Sequence, residues 1–396
     1  MNTLIKKLRN DRGSALLLVL LLIVMVTMLS VMSVNRATVD IDLSYNQANT
    51  DKAFYAAEAG IVRAYTKMND SISWRVGFAN QQIGSAVYSV TVIDSMAQPS
   101  LNDTVVIVAL GSVMGASSAV QAHLVPVLFK PFKFAVFAKD ELEMEDFSCT
   151  DSYNSDSGTY AETQVDSMGS VGTNGQLEID DFVVINGDVF VSSGGSHSIG
   201  PGVTINGDLI TGQPPVVLDP IPPSEFDWAI ANNSAPAGFS GSGYSYVAGK
   251  IKIDTSATLT LAGGVYYFDQ IELKSFGAIA VAPGEQVIIY VNDKIRLEDN
   301  SSINLGGQPK NFLVFSRGGN DGLELENSAQ FWGAYYGPGT EFEMEDNAQI
   351  YGSVIAGENE IEIDGGLNAC FHYDRDLINL GFGQTVGMKM IAWREQ

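Results

Sequence analysis

The chain has 396 residues, 45% of them apolar and 10% aromatic, enough to fill a core and too much for wholesale disorder. Its formal net charge of −24 repels phosphate backbones, and its 22 Lys and Arg are too dispersed to line a groove for DNA or RNA. The cysteines and histidines, Cys149, Cys370, His123, His197 and His372, show no zinc-ligand spacing, which excludes a structural zinc site.

Charge is unevenly placed from the first residues. Residues 1–36 hold five basic side chains, Lys6, Lys7, Arg9, Arg12 and Arg36, against one acid, Asp11, a net of +4 that leaves −28 for the rest. Ser14 to Val34 is an uncharged apolar run, long enough at about 1.5 Å per residue to cross about 30 Å of hydrocarbon. It is longer than the apolar region of a secretory signal and no small-residue cleavage site follows it, so it reads as a single-pass membrane helix. The basic leader, 1–13, belongs on the cytoplasmic side and the acidic bulk on the other. Beyond the apolar run, Val39, Leu43, Ala53, Ala57, Ile61 and Tyr65 recur at helical intervals without proline, predicting one continuous helix over 14–70.

The basic leader ending in Arg12-Gly13, the apolar helix, and AFYAAEAGIVRAY (Ala53 to Tyr65) together resemble the N-terminal domain of PilX-type minor pilins. The resemblance implies cleavage by a prepilin peptidase between Gly13 and Ser14, insertion in the bacterial inner membrane, and packing against other pilin-like subunits and their assembly machinery. Leu18 stands where most pilins carry a glutamate that neutralises a neighbour's terminal amine. Without that acid a subunit docks poorly within a shaft, which points to a tip or initiating position.

Over 71–130, three runs rich in β-branched residues, Ala86 to Asp94, Thr104 to Leu110 and Ala119 to Phe129, are separated by turn residues and predict a small antiparallel sheet against the helix. His123 falls within the third run and reads as a sheet residue.

From 131 to 396 the chain repeats itself. GLELENSAQFWG (Gly322 to Gly333) and EFEMEDNAQIYG (Glu341 to Gly352) lie 19 apart, EIEID (Glu360 to Asp364) follows, and looser copies begin at Glu141, Gln176 and Lys294. Ile205-Asn206-Gly207-Asp208 echoes Ile185-Asn186-Gly187-Asp188. A strand, a polar corner and a second strand cannot bury an apolar face alone, but stacked copies share a continuous core. The expected fold is a right-handed parallel β-helix joined to an α+β N-terminal region. Alternation turns Leu142, Leu177, Ile295, Leu323, Phe342 and Ile361 inward, with their partners two residues on. It turns Glu143, Glu178, Arg296, Glu324, Glu343 and Glu362 outward.

The column Glu324, Glu343, Glu362 sets like charges abreast with no counterion in the repeat. It is either solvated or a site for divalent cations such as Ca²⁺ through oxygen ligands; lacking a DxDxDG loop, the chain is expected to need no cofactor. The proline-rich stretch 213–238 cannot continue the repeats and reads as a surface excursion. Its Phe226 and Trp228 are candidate partner contacts or a cover for an exposed edge. Cys149 lies near the first repeat and Cys370 near the last, further apart in a simple stack than one bridge reaches, so free or intermolecular thiols are expected. The tail, with NAQIYGSVIA, His372-Tyr373-Asp374 and Trp393-Arg394-Glu395, resembles the C-terminal β-helix domain that accompanies PilX-type N-termini in bacterial surface proteins.

Acids recur in every repeat without one distinguished pair, and there is no nucleotide loop or nucleophile elbow, so no catalytic residue is assigned. The expectation is a non-enzymatic minor pilin-like protein displaying a β-helix for structural or adhesive contacts, with surface carbohydrate or a host or cell-surface ligand as partner and no nucleic acid. The alternative is a membrane-tethered carbohydrate-active enzyme that uses the repeat face as its groove.

Overall fold

In the computed structural model the described residues are all but 1, 72, 95–103, 146, 319–321, 358–359, 365, 367–368 and 396; side chains are described outside 2–14 and 382–386. The chain divides into two compact units, one of residues 1–129 with 383–396 and one of residues 130–382.

The first unit is built on a single helix, Asn2–Asp70, joined to an antiparallel sheet. The segment from Ala15 is long and apolar enough to cross a membrane, and none of its most apolar window is buried. The C-terminal part of the helix changes character. Ala53, Ala56, Ala57, Ile61, Ala64 and Met68 are buried against Tyr88, Val90, Ile107, Ala109, Val120 and Leu124 of the sheet.

Small residues at helical spacing let the two backbones meet closely. A Cβ at Gly111 would sit 1.9 Å from the Ala53 carbonyl oxygen, and one at Gly60 would sit 2.9 Å from the Tyr88 ring. The predicted runs appear as Ala86–Ile93, Val105–Val113 and Ala116–Phe129. Two strands were not anticipated: Phe78–Ile83 on one edge, and Phe382–Glu395 on the other beside Ala116–Phe129. The last strand therefore departs from the expectation that everything after residue 131 follows the repeats. Its Arg394 donates to Gln121 Oε1 (3.0 Å), which ties it to the sheet, and its Met388 N–H to Asn69 Oδ1 (2.8 Å), which ties it to the helix.

The second unit is a large β-rich region whose strands pair in three ladders, in parallel except for Phe239–Gly241 and Ser245–Val247, which are antiparallel to their partners. Its registers reproduce the sequence repeat: Leu323 opposes Phe342, which opposes Ile361, at the spacing of 19. The longer interval is matched too, with Arg296 opposite Glu324, and Ile185 opposes Ile205. Every residue predicted to face inward is at most 1% exposed, from Leu142 and Met144 to Ile361 and Ile363.

The polar corners explain why Asp and Asn recur. Asp299-Asn300, Asn327-Ser328 and Asp346-Asn347 hold consecutive positive φ values between 49° and 63°, a conformation that short polar side chains tolerate better than apolar ones. Stacked corners bond to each other, Asn300 N–H to Asn327 O and Ser328 N–H to Asp346 O, both at 2.9 Å.

The order of the stack differs from the order of the chain. The strands Val136–Ala138, Glu141–Met144 and Cys149–Tyr153 lie between two neighbours. On one side they pair with the next repeat, at 171–173, 176–179 and 184–185; on the other with the last, at 354–356, 360–363 and 370–374. The chain enters mid-stack, builds outward to Leu209–Gln213, crosses to the far end, and builds back from Lys250 until its last repeat meets its first.

The proline-rich stretch is that crossing, and it runs over the surface as expected, with only Phe226 and Ala229 buried between 213 and 238. Asn174 exchanges hydrogen bonds with Val216, Tyr336 Oη donates to Asp219 O, Phe226 packs on Tyr290, and Ser234 N–H donates to Val265 O. These contacts follow the stack in order. Proline keeps the segment out of the ladders, and its side chains fasten it alongside them.

Candidate functional site

One column of outward side chains runs along the ladder containing Glu324. In register it reads Glu272, Arg296, Glu324, Glu343, Glu362, Glu143 and Glu178. The sequence brings together Glu324, Glu343 and Glu362; the chain's return also places Glu143 beside Glu362 and Glu141 beside Glu360.

Glu324 is not without a counterion, as its repeat alone suggested. Arg296 Nε lies 3.2 Å from it and Lys294 Nζ 3.9 Å. Arg296 also reaches Glu298 and Glu326. Beyond Glu324 the column is acidic, and its members are half-buried rather than freely solvated.

Burial raises Glu343 to about 7, helped by a hydrogen bond with Glu345 and the charges of Glu345, Glu362 and Glu324. Burial likewise raises Glu143 to about 7, helped by Glu360. Glu362 and Glu145 are also raised, again chiefly by burial. Glu343 and Glu143 therefore hold their protons to higher pH than ordinary carboxyls. A hollow of about 150 Å³ lies over Glu343 and Glu362, lined also by Gly322, Leu323, Glu341 and Glu360 among others. Among the described residues no group of three or more His, Cys, Asp or Glu is arranged to hold a metal ion.

A second cluster marks the junction of first and last repeats. Cys149 and Cys370 are register partners with Cα atoms 4.6 Å apart and form a disulfide, which corrects the expectation of free or intermolecular thiols. The physical reason is the return of the chain: the first and last repeats in sequence are neighbours in space. Two residues on, His372 Nδ1 lies 2.7 Å from Asp151 Oδ1 and His372 Nε2 3.0 Å from Gln349 Oε1. Tyr160 Oη donates to Asp151 Oδ2 at 2.6 Å. Asp374 accepts from the Ser155 N–H at 3.1 Å and from its hydroxyl at 2.7 Å. His372 and Asp374 are buried in separate hydrogen-bond sets, an arrangement that fastens the 154–167 segment over the junction.

Phe226 lies in the short helix Pro223–Ala231 and is fully buried, with Arg317 4.2 Å above its ring. It anchors the crossing. Trp228 is 48% exposed and only edges toward Tyr290. Gly13 and Ser14 lie in the helix backbone, and their side chains fall outside the described residues. What escaped sequence reasoning is that the first repeat pairs with the last and that Asn174 and Tyr336 hold the crossing, although the likeness of ELEMED at Glu141 to EIEID at Glu360 marked the two as copies of one repeat.

Comparison with known proteins adds the following. Residues 243–380 match a family described as a domain of unknown function, DUF7305. No curated protein matches the chain. Among solved structures, the competence-associated pilin ComZ from Thermus thermophilus is similar over 88% of this chain and 98% of its own, with 12% identity and a TM-score of 0.30. The ice-binding protein of the Antarctic ascomycete Antarctomyces psychrotrophicus is similar over 62% of this chain and 97% of its own, with 16% identity and a TM-score of 0.34. Both superpositions are too loose to carry function across.

Proposed function

We propose that this chain is a minor pilin-like, membrane-anchored surface protein of the PilX type. Its apolar helix joins a type IV pilus or related filament, or the machinery that assembles it, after cleavage between Gly13 and Ser14. Its repeats wind as a right-handed parallel β-helix displayed outside the inner membrane for structural or adhesive contact. The observation that supports this most is the two-part helix: one part apolar and wholly exposed, the next a small-residue face packed on an antiparallel sheet. A helix whose apolar side chains have no partner in its own chain needs lipid or other subunits to cover them. The missing acid at Leu18 fits a place at the filament tip, since an unpaired terminal amine is costly in an apolar interior.

The test is N-terminal sequencing of protein extracted from membranes, with and without a prepilin peptidase. Ser14 as the first residue only when the peptidase is present is the expected result. An intact Met1 in both, or a first residue beyond about residue 30, contradicts it.

A further inference from the structure

The three ladders of the second unit end differently at their two extremes. At one extreme the chain covers each of them with a segment that does not continue the parallel register. Ser245–Val247 pairs antiparallel with Lys250–Ile253, and Phe239–Gly241 with Leu259–Leu261. The third is met by Asn233 and Ser234, the first accepting from the Tyr267 N–H at 3.1 Å and the second donating to Val265 O at 2.8 Å. At the other extreme lie Ser196–Ile199, Thr204–Ile205 and Leu209–Gln213, each paired on its inner side only. Among the described residues no strand occupies their outer edges.

The buried columns also stop there. Ile179 is succeeded by Ile199, Ile185 by Ile205 and Val189 by Leu209. Ile179 and Val189 are at most 1% exposed, whereas Ile199 and Leu209 are 39% and 38% exposed. A stack of repeats normally closes such an end with a polar cap, because bare edges and apolar floor invite another chain. Here the local composition changes in another way. From Val189 to Val217 the only charged residue is Asp208, in a chain of net charge −24.

We propose that this open end is a docking surface for the same end of a second copy, the two related by a twofold axis with strands antiparallel across the junction. Head-to-tail continuation of the parallel register is blocked because short antiparallel strands occupy the opposite end, which leaves an isologous contact as the symmetric solution. Two copies of so acidic a chain repel each other over most of their surface, and the neutral end is where like can meet like. The edge is regular enough to pair: its one register irregularity falls at Gln213, leaving Leu209, Ile210 and Thr211 in line. The inference goes beyond the anchoring role, since it concerns how displayed regions would join.

Full-length protein in detergent micelles, examined by sedimentation equilibrium over a range of concentrations, tests this. The expected protein mass is twice that of the chain. Ile199→Asp with Leu209→Asp, which sets like charges across the junction at positions already exposed, should halve it, and Ser245→Asp at the closed end should not. Because the native cysteines are bonded to each other, Thr211→Cys supplies a single free thiol near the junction. A short bismaleimide should trap a dimer of that variant and not of Ser245→Cys. A doubled mass that survives Ile199→Asp with Leu209→Asp would assign the association to the apolar helix. A single-chain mass throughout, with no trapped dimer, would leave the open end to a strand from a different protein. Either result overturns the proposal.

Discussion

Replacing both Cys149 and Cys370 by serine acts on the one junction in the stack that chain connectivity does not maintain. Everywhere else a repeat is followed directly by its neighbour or, across the crossing, is fastened by Tyr336, Tyr290 and Phe226. Between the last repeat and the first, the strand pairs are joined by backbone hydrogen bonds, the side-chain bonds of His372 and Asp374, and this disulfide, the one covalent link across it. The same junction sets Glu360 against Glu141 and Glu362 against Glu143, which weakens it.

The bond spans a sequence separation of 221, for which the chain-entropy relation gives about 5 kcal/mol at 25 °C. Urea unfolding of the full-length protein in micelles should show a loss of that order, reproduced by reducing the wild type. Peptide-level hydrogen exchange should show the loss first in Val136–Tyr153 and Gln349–Asp374, with Lys250–Leu273 keeping its protection. A change below about 0.5 kcal/mol, ordinary for an inert surface substitution, or a loss spread evenly over the repeats, would refute the view that the bond holds this junction.

The acidic column predicts a pH dependence. Glu143 and Glu343 have folded values near 7 against an ordinary 4.5, so the fold favours their protonated forms; that stability is complete below 4.5 and is lost as pH rises to about 7. Thermal unfolding between pH 4.5 and 8 should show it, and Glu343→Gln should flatten the profile and stabilise the protein at pH 8 by about 0.5 kcal/mol; a profile that rises with pH contradicts the argument. Phe226→Ala should cost about 3 kcal/mol and deprotect Pro223–Ala231 in hydrogen exchange, whereas Trp228→Ala should cost far less; equal losses would mean Phe226 is not the anchor. Gly111→Ala, whose Cβ would press on the Ala53 carbonyl, should destabilise the helix–sheet unit by about 2 kcal/mol in urea unfolding, and wild-type stability would show a looser contact.

Local order was legible in the amino-acid sequence wherever a period or a composition encoded it. The spacing of 19 between Glu324, Glu343 and Glu362 became the strand register, and the longer step from Arg296 did so as well. The Asp/Asn corners are the positive-φ turns, and the alanines from Ala53 are the face that meets the sheet. What escaped was long-range order. Nothing in a local period says that the repeat at Glu141 stacks on the repeat at Glu360, so the cysteines seemed far apart and Glu143 seemed remote from Glu362. Prolines between 213 and 238 correctly forbade a ladder strand but carried no information about where the segment leads. Likewise the final strand, Phe382–Glu395, gained its place from a partner, Ala116–Phe129, distant in sequence.

The most direct test of the account is the side of the membrane on which the repeats stand. A single cysteine at exposed Ser256, with the native pair bonded, can be treated with a membrane-impermeant maleimide in intact spheroplasts, and compared with one at Thr3. Labelling of Ser256→Cys before lysis, with Thr3→Cys labelled only after it, is the predicted result. Protection of Ser256→Cys until the membrane is broken would contradict the account.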